Sequence, residues 1–445
     1  MATLRYVNDL GNGHSGYVTY TGIVVATESG QPLEVTTASG TSIAVQPAGA
    51  AGDAFGRLRI SQPFTVFDSS HRYSINGHWN TSSGTGGTVT FNANQGLVDL
   101  AVTTTSGSKV YRETNRVFSY QPGKSLLVMN TFVMASGETN LRQRAGYFSS
   151  GNGIYFQVSG TTPAFVERTS ISGTVTETIV PQTSWNNDKL DGTGNSGFTL
   201  DPTKAQIFWT DIEWLGVGTV RAGFVINGQF IICHSFHHAN LISSTYITTA
   251  TLPMRYEIEA LGTLSETKTL KQICSTVLSE GGYELRGDAN SINTPLDTPR
   301  TFTSSGVYYP VAAIRLKTSP DRLDAVVIPN AMSILGQGNN AVFNWKVIQN
   351  GTVSGGTWTS AGSGSPVDYN LSGVSISGGT TLAAGFISAS TQSTNALEIT
   401  TDQLFKYQLE RNSFTAVPTE FILAVASKAA NDTAYIALDW EEISR

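Results

Sequence analysis

The chain has 445 residues, 40% of them hydrophobic, 10% aromatic and only 13% charged, so it can bury two or three cores while Thr, Ser, Asn, Gln and 45 glycines cover much of its surface. Against 27 Lys and Arg stand 33 Asp and Glu, a net charge of −6 with no basic run, which excludes a nucleic-acid surface built on displaced counterions. Two cysteines, Cys233 and Cys274, are too few for a disulfide framework; the opening MATLRYVNDLGNGHSG lacks the apolar stretch of a signal peptide, and no run is apolar enough to span a bilayer, so the expectation is a soluble protein made in a cytoplasm.

Residues 1–53 read as an extended N-terminal arm: short strand-like pieces at Tyr17–Ala26 and Ser42–Gln46, separated by Gly and Thr, with too few large apolar side chains to close a core. The alternative is a hairpin packed on its own domain. Residues 54–285 read as one large β domain, with strands near 86–104, 108–119, 124–135, 144–158, 163–181, 204–214, 218–236 and 252–260. Only 265–280, SETKTLKQICSTVLSE, offers helical spacing, and its Thr, Ile and Val suit a strand equally. Residues 286–300, RGDANSINTPLDTPR, have the composition of a linker that lets an outer domain reorient. Residues 301–445 form a second β domain, with strands near 308–317, 323–335, 341–349, 395–410 and 420–440 and a hairpin signal at Asn350-Gly351. The fold class is all-β, and no fixed-period repeat suggests a solenoid or propeller.

The richest stretch is 204–259. Asn227-Gly228 between two apolar runs predicts a two-residue type I′ hairpin. That turn pairs Ile226 with Gln229, Val225 with Phe230, Phe224 with Ile231, Gly223 with Ile232, Ala222 with Cys233 and Arg221 with His234. Neighbours on a strand alternate faces, so Cys233 lies with Ala222, Phe224 and Ile231 while His234 lies on the other side. With His237 and His238 beyond the strand, a zinc site is disfavoured and structural histidines are expected; no metal and no cofactor is assigned.

Within Trp209-Thr210-Asp211-Ile212-Glu213-Trp214, Asp211 and Glu213 are two apart and would share a strand face, at a spacing that suits two-carboxylate glycoside hydrolysis. The segment resembles the strand motif of laminarinase-like sandwich glycosidases, which places Glu, Asp and Glu at alternating positions. Trp209 stands here at the position of the first Glu, so a nucleophile is missing. No catalytic residue is assigned, and a structural or glycan-binding strand face is expected. The loop Asn187-Asp188-Lys189-Leu190-Asp191-Gly192-Thr193-Gly194-Asn195 carries oxygen ligands suited to Ca²⁺ but lacks an EF-hand spacing and a closing Glu, which favours a polar turn. Exposed aromatics of the second domain, among them Tyr308, Tyr309, Trp358 and Tyr369, are candidates for a glycan or cell-surface contact, against the alternative of ordinary core.

The segment Gly52-Asp53-Ala54-Phe55-Gly56-Arg57-Leu58-Arg59-Ile60-Ser61-Gln62-Pro63-Phe64-Thr65-Val66-Phe67-Asp68-Ser69 resembles the opening of a family of structural proteins of tailed bacteriophages, especially marine phages and cyanophages. Tyr120-Gln121-Pro122-Gly123-Lys124-Ser125 follows in the same order, then Trp214-Leu215-Gly216-Val217-Gly218 through Arg221-Ala222-Gly223-Phe224 to Pro253-Met254-Arg255-Tyr256-Glu257-Ile258; the resemblance covers roughly 50–320. It implies a non-enzymatic virion component with a large concanavalin/lectin-like antiparallel β-sandwich, followed here by a smaller C-terminal β-sandwich. Capsid decoration, neck or collar appendage and tail fibre are all compatible with it. The expected partners are other copies of the chain in a trimer or ring, other virion proteins held through residues 1–53, and a host-surface glycan. Assembly in the host cytoplasm fits the lack of a signal peptide.

Overall fold

A computed structural model of the chain describes the backbone of Thr3–Asp9, Ser15–Thr21, Leu33–Thr36 and Ser42–Val45, and then residues 63–280, 287–338, 341–389, 397–399 and 407–444. Gly52–Gln62, which opens the first resembling segment, lies outside the described residues, as do the side chains of the expected arm. Met1–Gln62 forms a unit of its own, in which two short antiparallel pairs join Thr3–Asp9 to Ser15–Thr21 and Leu33–Thr36 to Ser42–Val45.

Pro63–Arg445 is the second unit. It is all-β, as expected, with a large antiparallel sandwich followed by a smaller one. An eight-stranded sheet runs in the order Gln229–Phe236, Val220–Ile226, Gln206–Ile212, Leu126–Val133, Lys268–Glu280, Leu97–Val102, Gly87–Asn92, with Pro63–Ser70 also pairing Lys268–Glu280. Against it lies a seven-stranded sheet in the order Thr176–Pro181, Thr162–Thr169, Gly153–Ser159, Leu141–Phe148, Met254–Ala260, Lys109–Thr114, Trp79–Ser83. Period-two alternation explains the layering: Leu126, Val128 and Phe132 point between the sheets, and Ala145, Tyr147, Ile154 and Phe156 meet them from the other side. The core is aromatic, with Phe165 stacked on Trp185 at 4.2 Å between centroids and Phe156 edge-on to Phe224 at 5.1 Å. The ambiguous 265–280 segment is the strand Lys268–Glu280; it buries every second residue over most of its length and is paired on both sides, by Leu126–Val133, Leu97–Val102 and Pro63–Ser70.

The second sandwich pairs a five-stranded sheet, ordered Asp288–Asn293, Thr433–Ser444, Val326–Gln337, Leu397–Ile399 with Arg300–Thr301 also on Thr433–Ser444, and a six-stranded sheet, ordered Thr359–Ser360, Val367–Asn370, Tyr309–Leu316, Glu420–Ser427, Ala341–Ser354, Ser375–Ala389. The linker expectation for 286–300 fails at Asp288–Asn293, which forms six antiparallel pairs with Thr433–Ser444 and buries Ile292. One apolar side chain in a polar stretch suffices for an edge strand. The hairpin expected at Asn350-Gly351 is also corrected. Asn350 takes φ 61°, but the strand runs on to Ser354, because Gln349 pairs with Phe421 and Gly351 with Glu420 across a bulge. Of the strand expected at 395–410, only Leu397–Ile399 is described as strand.

The two sandwiches touch. Arg116 pairs with Glu410 at 3.1 Å, Ser413 Oγ donates to the Thr114 carbonyl at 2.6 Å, and Tyr111 packs on Phe414 at 5.5 Å between centroids. Reorientation about 286–300 would break all three contacts.

Candidate functional site

Asn227 and Gly228 take φ 51° and 77°, so the two-residue turn forms as its residue types require. Pairing follows the expected register from Ile226–Gln229 to Gly223–Ile232, and then a bulge intervenes: Ala222 pairs with His234 and Arg221 with Ser235, rather than with Cys233 and His234. The bulge lets Cys233 stay in the core with Ala222, Phe224 and Ile231, where burial pushes its thiol well above the ordinary range. His234 accepts from the Asn186 N–H through Nδ1, and burial, with His237 nearby, lowers its pKa to about 4. His237 lies near Thr219. His238 Nε2 meets Glu167 at 2.8 Å, its Nδ1 meets the Gly218 carbonyl at 2.6 Å, and its ring stacks on Tyr246 at 4.0 Å. Burial works against the charged ring, but the bonds to Glu167 and Gly218 outweigh it and raise its pKa. The three histidines serve three separate partners, and no group of three or more His, Cys, Asp or Glu suited to a metal occurs among the described residues.

The acidic pair comes apart as well. Asp211 lies on the strand opposite Arg221 and is ion-paired to it, whereas the strand ends at Ile212 and leaves Glu213 exposed in the following loop. The strand thus carries only one of the two carboxylates. Trp209 is buried against Phe230 at 5.6 Å, over Gly223, where any Cβ would meet the Ile231 carbonyl. In the 187–195 loop both carboxylates bond within the loop: buried Asp188 accepts from Leu190 and Ser196, and exposed Asp191 accepts from Thr193 through N–H and hydroxyl, so the loop meets its own acceptors as a polar turn does.

The outer face of the seven-stranded sheet holds a network that residue spacing alone did not single out. Arg255 lies 3.7 Å from the Tyr111 ring centre and bonds Glu257 at 2.7 Å and Glu113 at 3.2 Å. Arg144 meets Glu257 at 3.4 Å, and Arg168 bonds Glu177 at 2.6 Å above Tyr155. Burial opposes charge on Glu257, yet Arg255, Arg144 and Lys109 together hold its pKa at about 2. The available signal was the alternation Arg255-Tyr256-Glu257-Ile258-Glu259 and Arg142-Gln143-Arg144, which puts each set of charges on one face. The quoted motifs also meet, for Tyr120 stands edge-on to Trp214 at 5.9 Å.

On the second sandwich the four named aromatics part company. Tyr309 and Tyr369 pack against the core, whereas Tyr308 and Trp358 lie on the outer face of the six-stranded sheet over Ala313, Ile348, Val353, Ile422 and Ala424. Each is capped by a cation, Lys346 at 4.0 Å from the Tyr308 ring centre and Arg315 at 4.0 Å from that of Trp358. The Tyr308 hydroxyl donates to Asn344 Oδ1, and Asn344 Nδ2 donates to the Gly385 carbonyl at 3.1 Å. Asn344 is the cross-strand partner of Phe386, which is 74% exposed. Tyr308, Asn344, Lys346 and Phe386 thus form one patch of two rings, an amide and a cation. Phe386 was missed because nothing in its strand announces which face it takes.

No family model matches the chain, and no curated protein matches it in sequence. Among solved structures it is similar to a β-1,3-1,4-glucanase (lichenase) derived from a mouse hindgut metagenome, at 12% identity over 48% of this chain and 99% of that one, TM-score 0.33. It is similar also to the CBM2 module of the evolved Dit of Lactobacillus casei BL23 phage J-1, at 5% identity over 51% of this chain and 100% of that one, TM-score 0.33. The carbohydrate recognition domain of Emp47p matches at 10% identity, 52% of this chain and 100% of that one, TM-score 0.32. Likeness at this level carries no inference about activity or ligand.

Proposed function

We propose that the chain is a non-enzymatic structural component of a tailed-phage particle whose second sandwich carries a glycan-recognition face. The particle role rests on the ordered motifs at 52–69, 120–125 and 214–258 and on the rigidity expected of two packed sandwiches. The glycan reading rests on one observation, the exposed Phe386 ring beside Tyr308, Asn344 and Lys346. Sugars present C–H faces that stack on aromatic rings and hydroxyls that bond amides and ammonium groups, and this patch offers both. The absence of catalysis is supported by Trp209 standing where a carboxylate would be needed, and by Asp211 being engaged with Arg221.

Two experiments test the parts separately. Deleting residues 1–53 abolishes incorporation into particles; truncated protein that still assembles overturns the anchor. On a glycan array the full chain binds a defined set of sugars, and Phe386→Ala lowers that binding at least tenfold, the equivalent of about 1.4 kcal/mol. Uniform silence of the wild type, or an unchanged Phe386→Ala profile, removes the glycan face.

A further inference from the structure

The six-stranded sheet ends at the strand Ser375–Ala389, SISGGTTLAAGFISA, which has 15 residues, no charged side chain and no proline. An open strand edge presents unpaired N–H and C=O groups, and proteins blunt such edges with charge, proline, short length, bulges or a covering loop. Among the described residues of the two sandwiches, other sheet edges are blunted. Thr176–Pro181 carries Glu177 and ends in Pro181, and Asp288–Asn293 begins with its own charge. Trp79–Ser83, Gly87–Asn92, Leu397–Ile399 and Thr359–Ser360 span 5, 6, 3 and 2 residues. Gln229–Phe236 is bulged at Cys233 and covered by a loop whose Asn187 and Asp188 N–H groups donate to the Cys233 carbonyl at 3.0 and 3.2 Å.

Of these devices Ser375–Ala389 has a single bulge at Leu382, where its register against Ala341–Ser354 shifts, together with Gly378 and Gly379. The glycines, at φ 65° and 84°, interrupt it near its start, and beyond the bulge Ala383–Ala389 is a regular, uncharged edge with no outer partner strand among the described residues. Along that run Ile387 and Ala389 turn to the core, while Ala384, Phe386 and Ser388 are exposed.

We propose that this edge pairs with the same edge of a second copy of the chain, antiparallel about a two-fold axis at Phe386. A two-fold contact must be self-complementary. An uncharged strand meets its own copy without like charges facing each other, and a register centred on Phe386 sets that ring against its mate and Ala384 against Ser388. The most exposed large apolar side chain of the strand thereby gains its mate along one side, while its outward face beside Asn344 stays open. Antiparallel addition also keeps the same sheet face outward in both copies, so the two Tyr308–Phe386 patches stand side by side. The pairing goes beyond the glycan reading and does not depend on it.

Sedimentation of the full chain tests it. The wild type sediments as a dimer at micromolar concentration, and Phe386→Lys, which sets two ammonium groups against each other at the axis, weakens association at least tenfold while leaving the circular-dichroism spectrum of the folded chain unchanged. In a Cys274→Ser background, Phe386→Cys forms a disulfide-linked dimer, since directly opposed Cα atoms lie about 4.5–5.5 Å apart. Ser388→Cys alone does not crosslink, but it does so when mixed with Ala384→Cys. A wild type that stays monomeric to its solubility limit overturns the proposal. So does a dimer indifferent to Phe386→Lys in which Phe386→Cys fails to crosslink. Loss of glycan binding in Tyr308→Ala with the dimer intact bears on the glycan face alone.

Discussion

Glu257 and Glu410 are both buried carboxylates, and their surroundings push them in opposite directions. Three cations hold Glu257 at a pKa of about 2, so its charge contributes stability above the ordinary carboxylate range, and that contribution is lost as pH falls from the ordinary value through 2. Burial raises the pKa of Glu410, with Arg116 only partly opposing it, so its charge costs stability above its folded pKa and the cost is relieved as pH falls. Removing the Glu257 charge leaves Arg144 without its carboxylate and Arg255 with Glu113 alone, at side chains 5% and 9% exposed, whereas Arg116 is 30% exposed and keeps access to water and to the Val66 carbonyl. Glu257→Gln therefore destabilises by about 3 kcal/mol or more at neutral pH, and Glu410→Gln by about 1 kcal/mol or less, in urea titrations. Equal losses in the two variants would contradict this account. The network was half legible: alternation puts Arg255 and Glu257 on one face, but Glu113 and Arg144 lie more than a hundred residues away in sequence and join only through sheet order.

At the scale of elements, Gly228 has open space where a Cβ would stand, so replacing it tests backbone conformation alone. At φ 77° Gly228→Ala costs about 1 kcal/mol, and the loss is read as a lowered denaturation midpoint with an unchanged slope. A neutral outcome would mean that the hairpin is not held by its turn. The turn was readable because its signal is two adjacent residues. The bulge six residues on was not, since it answers to Cys233 settling in the core and to the Asn186–Asp188 loop bonding along the strand. The same limit explains Asn350-Gly351: Asn at positive φ suits a turn or a bulge, and the strands on either side decide between them.

For the whole molecule, the contacts Arg116–Glu410, Ser413–Thr114 and Tyr111–Phe414 couple the two sandwiches. Calorimetry is expected to show one main transition for residues 63–445, and Phe414→Ala combined with Arg116→Ala is expected to split it. Two resolved transitions in the wild type would instead support independent domains hinged at 286–300. Long-range strand pairing makes refolding slow, because loop closure precedes any stabilising contact.

By itself, the amino-acid order determined what is local. Period-two alternation made the chain all-β, Asn227-Gly228 made a hairpin, and Trp209 removed a carboxylate from the one strand resembling a glycosidase motif. Tertiary structure decided what depends on distant partners: the register beyond Gly223, the end of the strand before Glu213, the paired charges around Glu257, and the meeting of Tyr308 with Asn344 opposite Phe386. Side-chain direction follows from a few residues of backbone. Which strands become neighbours is a property of the whole sheet, and so are the site and the open edge beside it.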